Sequence, residues 1–301
     1  MNRLIHTLAL IALLLVAPLA RAELKVLACE PEWGALVKEL AGDKVSVYVA
    51  TTALQDPHRI EARPSLVAAA RNAGLVVCTG AELEVGWLPL LIRQSGNSAI
   101  QPGKPGHFEA AAYVRMLDVP QRLDRADGDV HAAGNPHIQT DPRNIALVAE
   151  PLARRLAELD PANAATYQAR SADFLTRWKA AIQRWEQSAA PLRGVPVVVL
   201  HKAFPYLQQW LGLVEVAALE PKPGVEPTSA HLSTVLAGLK TRPAKMILRA
   251  AYNDPRGADW LAERTQLPVV VLPFTVGGNE QAKDLFSLFD DTVQRLLKAS
   301  R

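Results

Sequence analysis

Three features of this chain predict an α/β fold of two lobes, each a mostly parallel sheet flanked by helices, joined by a single long helix. Short apolar runs alternate with amphipathic stretches of about 10 residues, the pattern of a parallel sheet covered on both faces. The stretch from Ala162 to about Ala189 contains neither Gly nor Pro. Behind it, the Gly194-Val195-Pro196 turn opens a second set of apolar runs.

In chain order, Leu24 to Ala28 reads as the first strand, Glu30 to Leu40 keeps a helical period, and Lys44 to Ala50 alternates as a second strand. Pro64 to Asn72 is a short helix, Gly74 to Cys78 a fully apolar strand, and Glu84 to Gln94 a further helix. Residues 97–134 are rich in Gly, Pro, Asp and Arg and read as irregular surface with one short strand. Asp141-Pro142 supplies a cap followed by a first-turn proline, and Ile145, Val148, Ala149, Leu152, Leu156 and Leu159 hold the helical period. Asp160-Pro161 restarts the helix, in which Tyr167, Phe174, Trp178, Ile182 and Trp185 recur at helical spacing. Such a stripe belongs to a core rather than to a ligand-stacking box. A helix of that length reaches about 40 Å, more than one lobe needs, and so reads as a strut between halves. In the second half, Val197 to Leu200, Met246 to Leu248 and Val269 to Leu272 read as strands. Helices are expected near Phe204 to Leu211, His231 to Leu239, Gly257 to Thr265 and Gln281 to Lys298. The expected organisation is a signal peptide over residues 1–22, one lobe over 23–159, the linking helix over 160–190 and a second lobe over 191–301.

The leader rests on a short basic start at Asn2-Arg3, an apolar run from Leu4 to Leu19 and the small-residue site Ala20-Arg21-Ala22. The apolar run is short for a membrane anchor, and no cysteine follows the cut to carry a lipid. The mature chain from Glu23 is therefore expected in the periplasm, soluble and monomeric. A formal net charge of +3, with acids and bases interspersed, excludes a nucleic-acid footprint. Cys29 and Cys78 each end a strand-like run; if those strands are neighbours the thiols can join in an oxidising compartment, the alternative being two reduced, buried thiols.

Chemistry enters with three histidines. His58, His137 and His201 each sit where an apolar run gives way to a loop or helix start, and Asp56-Pro57-His58 and Asn135-Pro136-His137 share one local grammar. Proline fixes its own backbone and pushes its neighbour toward extended conformations, so the imidazole leaves the chain in a restricted direction. In open α/β sheets ligands gather outside the carboxyl ends of strands, which would bring two imidazoles from the first lobe and one from the second around a single ion. Each histidine alone reads more simply as structural; the case rests on all three together. His107 reads as a loop residue, His231 as solvent-facing, and His131, six positions before His137, as a candidate for the same site.

The chain resembles the solute-binding proteins of zinc and manganese ABC transporters, whose two lobes are linked by one long helix. The resemblance is carried by Asp56-Pro57-His58 with Glu61 and Pro64-Ser65, by Gly80-Ala81-Glu82-Leu83-Glu84 with Trp87, and by Asn135-Pro136-His137 with Asp141-Pro142. It continues through Asp160-Pro161 with Asn163 and Tyr167, His201 with Phe204 and Tyr206, and Glu226-Pro227-Thr228. It implies capture of a divalent metal and its delivery to a membrane permease, with His58, His137 and His201 at the metal-binding positions. A carboxylate from a late strand end is commonly the fourth ligand in that family. Here Leu272-Pro273-Phe274 stands in its place, and no Asp or Glu lies between Gln266 and Glu280. Water, His131 or a loop carboxylate remain for the fourth position. Gln139 replaces a frequent Trp, and the long His- and acid-rich loop of many zinc members is missing, with only Asp129 and His131 hinting at it.

Three neutral imidazoles with at most one oxygen suit tetrahedral zinc, whereas manganese favours carboxylate-rich sites of higher coordination. Asp56, Glu61, Asp141 and Glu226 are candidates for hydrogen-bonding the ligand imidazoles, Asp141 reading more simply as a helix cap. A three-histidine zinc hydrolase is the rival class, but the chain carries no HExxH helix and no Gly-x-Ser-x-Gly elbow. A periplasmic metallochaperone of the same fold is the second rival. The expected mechanism is modest lobe closure limited by the long helix, with release through withdrawal of His201 and the loop from Pro273 to Gly278.

Overall fold

The computed structural model describes residues 23–122 and 128–301; the expected leader lies outside the described residues. The first sheet consists of β1 (Leu24–Ala28), β2 (Val45–Val49), β3 (Leu75–Cys78) and β4 (His107–Glu109), in the order β2-β1-β3-β4. The second consists of β5 (Pro196–Val199), β6 (Val214–Ala218), β7 (Met246–Ala250) and β8 (Val269–Leu272), in the order β6-β5-β7-β8. Every pairing is parallel, and both sheets have the same topology.

The helices are α1 (Pro31–Ala41), α2 (Pro64–Asn72), α3 (Leu88–Ser95), α4 (Pro142–Leu159), α5 (Ala164–Ser188), α6 (Pro205–Leu211), α7 (Ser229–Gly238), α8 (Arg256–Thr265) and α9 (Leu285–Ser300). The strut predicted from the Gly- and Pro-free run is α5, whose 25 residues span about 37 Å. Its aromatic stripe is buried: Phe174, Trp178 and Trp185 pack against Phe286 and Phe289 of α9, and Tyr167 is buried with its hydroxyl donating to Asp160.

Strand alternation explains the layering, because successive residues point to opposite faces. On the first sheet Leu27, Val76 and Cys78 face α2 and α3, while Val26, Ala28, Leu75 and Val77 face α1, α4 and α5. On the second, Val198 and Ile247 face α7 and α8, while Val197, Val199, Met246 and Leu248 join the same inner core. One continuous apolar core therefore runs beneath both lobes, from Trp33 through Trp178 to Leu248. A shared core of this kind resists wide separation of the halves.

Several expectations are corrected. The helix expected from Glu84 begins at Leu88, with Pro89 in its first turn; residues 81–87 form turns, and Ala81 and Glu82 have positive φ. Strand β6 escaped the sequence reading because Glu215 interrupts a half-buried run at a sheet edge. His107 opens β4 with its ring bonded to Ile100 O and Glu109, and His231 is half-buried with Nε2 on Ala218 O. The disulfide expectation is met: β1 and β3 are neighbours, and Cys29 and Cys78 at their ends are joined, with Cα atoms 4.8 Å apart.

Candidate metal centre

Each sheet is parallel, so its four strands end on one side, and the segments that follow β2, β4 and β5 carry His58, His137 and His201. His58 lies on the loop after β2, held by a hydrogen bond from Trp87 Nε1 to Pro57 O (2.9 Å). A Cβ at Gly86 would lie 2.8 Å from His58 O, so only glycine lets that turn approach. His137 follows Pro136 shortly before α4, and His201 lies two residues beyond β5.

The structure brings the three together. One ring nitrogen from each of His58, His137 and His201 lies within 4.8 Å of the others, and the ring centroids are 5.3 to 5.9 Å apart. Every Nδ1 is engaged: His58 by Asp56 Oδ1 (2.8 Å), His137 by Asn135 Oδ1 (2.8 Å) and His201 by Glu220 Oε2 (2.6 Å). In a neutral imidazole facing such acceptors the proton belongs on Nδ1, which leaves the Nε2 lone pair free. Nε2 of His58 and of His137 are buried without any hydrogen-bond partner. An unsatisfied buried polar atom costs about 1–3 kcal/mol, so two of them side by side mark a place built for an electrophile. A tetrahedral zinc with nitrogen at about 2.0–2.1 Å needs donors roughly 3.4 Å apart, a small contraction of this cluster.

Electrostatics favour a cation taken up beside a neutral His137. Burial and then the neighbouring His58 and His201 push the His137 imidazole well below its usual range, so it is uncharged at neutral pH. Partial burial raises the Asp56 carboxyl, but hydrogen bonds from His58 and proximity to it outweigh that and hold Asp56 below the ordinary carboxylate value. Behind the rings, Asp56 and Glu220 place two carboxylates, matching the charge of one divalent ion.

Of the other expected helpers, Asp56 alone reaches a ring. Glu61 is exposed, Asp141 caps α4 and pairs with Arg143, and Glu226 is exposed beside Arg256 at 3.7 Å. Asn135 and Glu220 were missed. The Asn135-Pro-His137 spacing repeats that of Asp56-Pro-His58, so its role was available by analogy. Glu220 lies 19 residues from His201 and becomes its neighbour only because β6 pairs with β5.

Phe274 occupies the late strand end beyond β8. Its φ is +69°, uncommon for a bulky side chain, and its ring packs on His137 with centroids 5.7 Å apart and on Tyr252 and Phe204. Leu272, Pro273 and Phe274 carry no side-chain donor here, and the only polar side-chain atom among these packed rings besides the imidazole is the buried hydroxyl of Tyr252. His131 stacks on His58 with centroids 5.4 Å apart, its own imidazole pushed down to about 4 by burial and by His58.

Residues 26–299 match the family described as ZnuA, the periplasmic component A of a zinc-uptake complex. The high-affinity zinc uptake system protein ZnuA of Paracoccus denitrificans is 26% identical over 271 residues, covering 79% of each chain. A manganese ABC transporter substrate-binding lipoprotein, PsaA of Streptococcus mitis, is 22% identical over 87% of this chain and 83% of its own. Among solved structures, a crystal structure of ZnuA superposes with a TM-score of 0.77 at 22% identity, covering 92% of this chain and 99% of that one.

Proposed function

The chain belongs to the ZnuA family, and on that premise we propose that it captures a zinc ion between its lobes in the periplasm and delivers it to the permease of an ABC transporter. Relatives in this family are substrate-binding proteins of metal ABC transporters and not enzymes, and they work outside the cytoplasm. The relatives' names include both zinc and manganese, so the choice of metal rests on the donor set of this chain.

One observation carries the zinc reading: the converging donors are three imidazole nitrogens with no carboxylate among them. Neutral nitrogen donors and low coordination suit zinc, whereas manganese prefers oxygen-rich, six-coordinate sites. His58, His137 and His201 are the proposed ligands, with Asp56, Asn135 and Glu220 fixing their tautomers. We further propose cleavage of a signal peptide after residue 22 and action as a monomer. Residues 23–159 and 191–301 would act as the two lobes and residues 160–190 as the link. The core shared beneath both sheets supports modest closure rather than a wide hinge.

Metal analysis of the purified protein, followed by competition between zinc and manganese, tests the reading. Zinc retained in excess of manganese is expected, at one ion per chain. Manganese held in preference, or zinc binding unaffected by His137→Ala, would overturn it.

A further inference from the structure

We propose that His131 supplies the fourth donor to the captured ion, closing an all-imidazole site in which the loop over residues 128–135 acts as a cap. The inference rests on His58, His137 and His201 being the cargo ligands, and it names the group that completes their set.

Four observations converge on it. First, Nε2 of His131 is buried and has no hydrogen-bond partner, the same condition as Nε2 of His58 and His137. Second, its ring lies 5.4 Å from that of His58, the spacing found within the triad, and it lines one cavity of about 280 Å³ together with His137 and His201. Third, the late strand end presents the Phe274 ring to His137, and Leu272-Pro273-Phe274 carries no side-chain oxygen. Zinc held by three imidazoles keeps one open position, and a transported ion is held most securely when that position is filled.

Fourth, the loop is seated on both lobes. Ala132 N–H donates to Glu82 Oε2 (2.6 Å) in the first lobe, and Asp129 N–H donates to Pro223 O (2.8 Å) in the second. Gly224, at φ +73°, lies so close that a Cβ there would collide with the Asp129 carboxylate. The same Gly224 N–H donates to Glu220, which holds His201. A side chain on this loop therefore senses the relative position of the lobes: it reaches the ion when they are together and leaves when they part. His131 is not within the 4.8 Å cluster of the three other rings, so it completes the site by a small inward movement rather than standing as a fixed ligand.

X-ray absorption at the zinc edge of the loaded wild-type protein, with chelator competition on His131→Ala and His137→Ala, tests this. Four imidazoles are expected around zinc in the wild type and three in His131→Ala, with zinc affinity reduced at least about tenfold and faster release. Three imidazoles plus an oxygen in the wild type, with unchanged affinity in His131→Ala and binding lost in His137→Ala, would overturn the role of His131 and leave the three-histidine site standing. Wild-type affinity in His137→Ala would instead remove the site on which the inference rests. The wild-type ligand count needs no variant to fold.

Discussion

Removing the carboxylate behind His201 should weaken zinc binding without touching the ion. Glu220 Oε2 accepts from His201 Nδ1 at 2.6 Å and from Gly224 N–H at 2.8 Å, and its side chain is only 12% exposed. The bond fixes the His201 tautomer and raises the basicity of Nε2, and outer partners of this kind are worth about 10–100-fold in metal affinity. That range corresponds to about 1.4–2.7 kcal/mol. Glu220→Ala removes both the oxygen and the charge and should fall near a hundredfold. Glu220→Gln keeps an acceptor but not the charge and should fall near tenfold. Chelator competition at fixed pH reads both, and thermal unfolding of the metal-free proteins separates a loss of apo stability from a loss of affinity. Affinity within about twofold of wild type in Glu220→Ala would refute the argument that this carboxylate orients the ligand.

Further expectations follow from the core and the buried acids. Trp178 is fully buried on α5, with Nε1 donating to Pro142 O, and Trp178→Ala should lower stability by about 3–5 kcal/mol in chemical denaturation. Opening the Cys29–Cys78 disulfide, which closes a separation of 49 residues, should cost up to about 4 kcal/mol, measured as Cys78→Ser against wild type. Glu84 lies beside Glu30 just past the end of β3, and burial raises its carboxyl from the ordinary 4.5 to about 7. The folded state therefore binds more protons than the unfolded chain between those values, and this group's contribution to stability falls as pH rises from about 4.5 through about 7. Glu84→Gln, which cannot ionise, should gain stability relative to wild type between pH 5 and pH 8; no change in that difference would contradict the assignment. Zinc affinity should fall with acidification, since the imidazoles must be neutral to bind, and equilibrium dialysis across a pH series checks it.

Much of the fold could be read from residue pattern because parallel strands are continuous apolar runs and α5 lacks any breaker. Helix α2 and strand β8 fall on the expected residues, Pro64–Asn72 and Val269–Leu272. The half-buried edge strand β6 could not, since Glu215 interrupts its apolar run, and with β6 went its proximity to β5 and the role of Glu220. The triad was readable because proline aims His58 and His137 and a strand end delivers His201. What surrounds it was legible only in part: His131 was a candidate from its place six residues before His137, but Phe274 turning its ring onto His137 depends on a contact made across the cleft. The same holds for Glu32, whose buried carboxyl accepts from Thr275 of the other half at 2.5 Å across 243 residues of sequence.

The central claim is that imidazoles from both lobes share one ion, and anomalous diffraction at the zinc edge from crystals of the zinc-loaded protein addresses it most directly. The account predicts a single strong peak in the cleft, about 2.0–2.1 Å from Nε2 of His58, His137 and His201. A peak bound by one lobe alone, or none at these three rings, would contradict it.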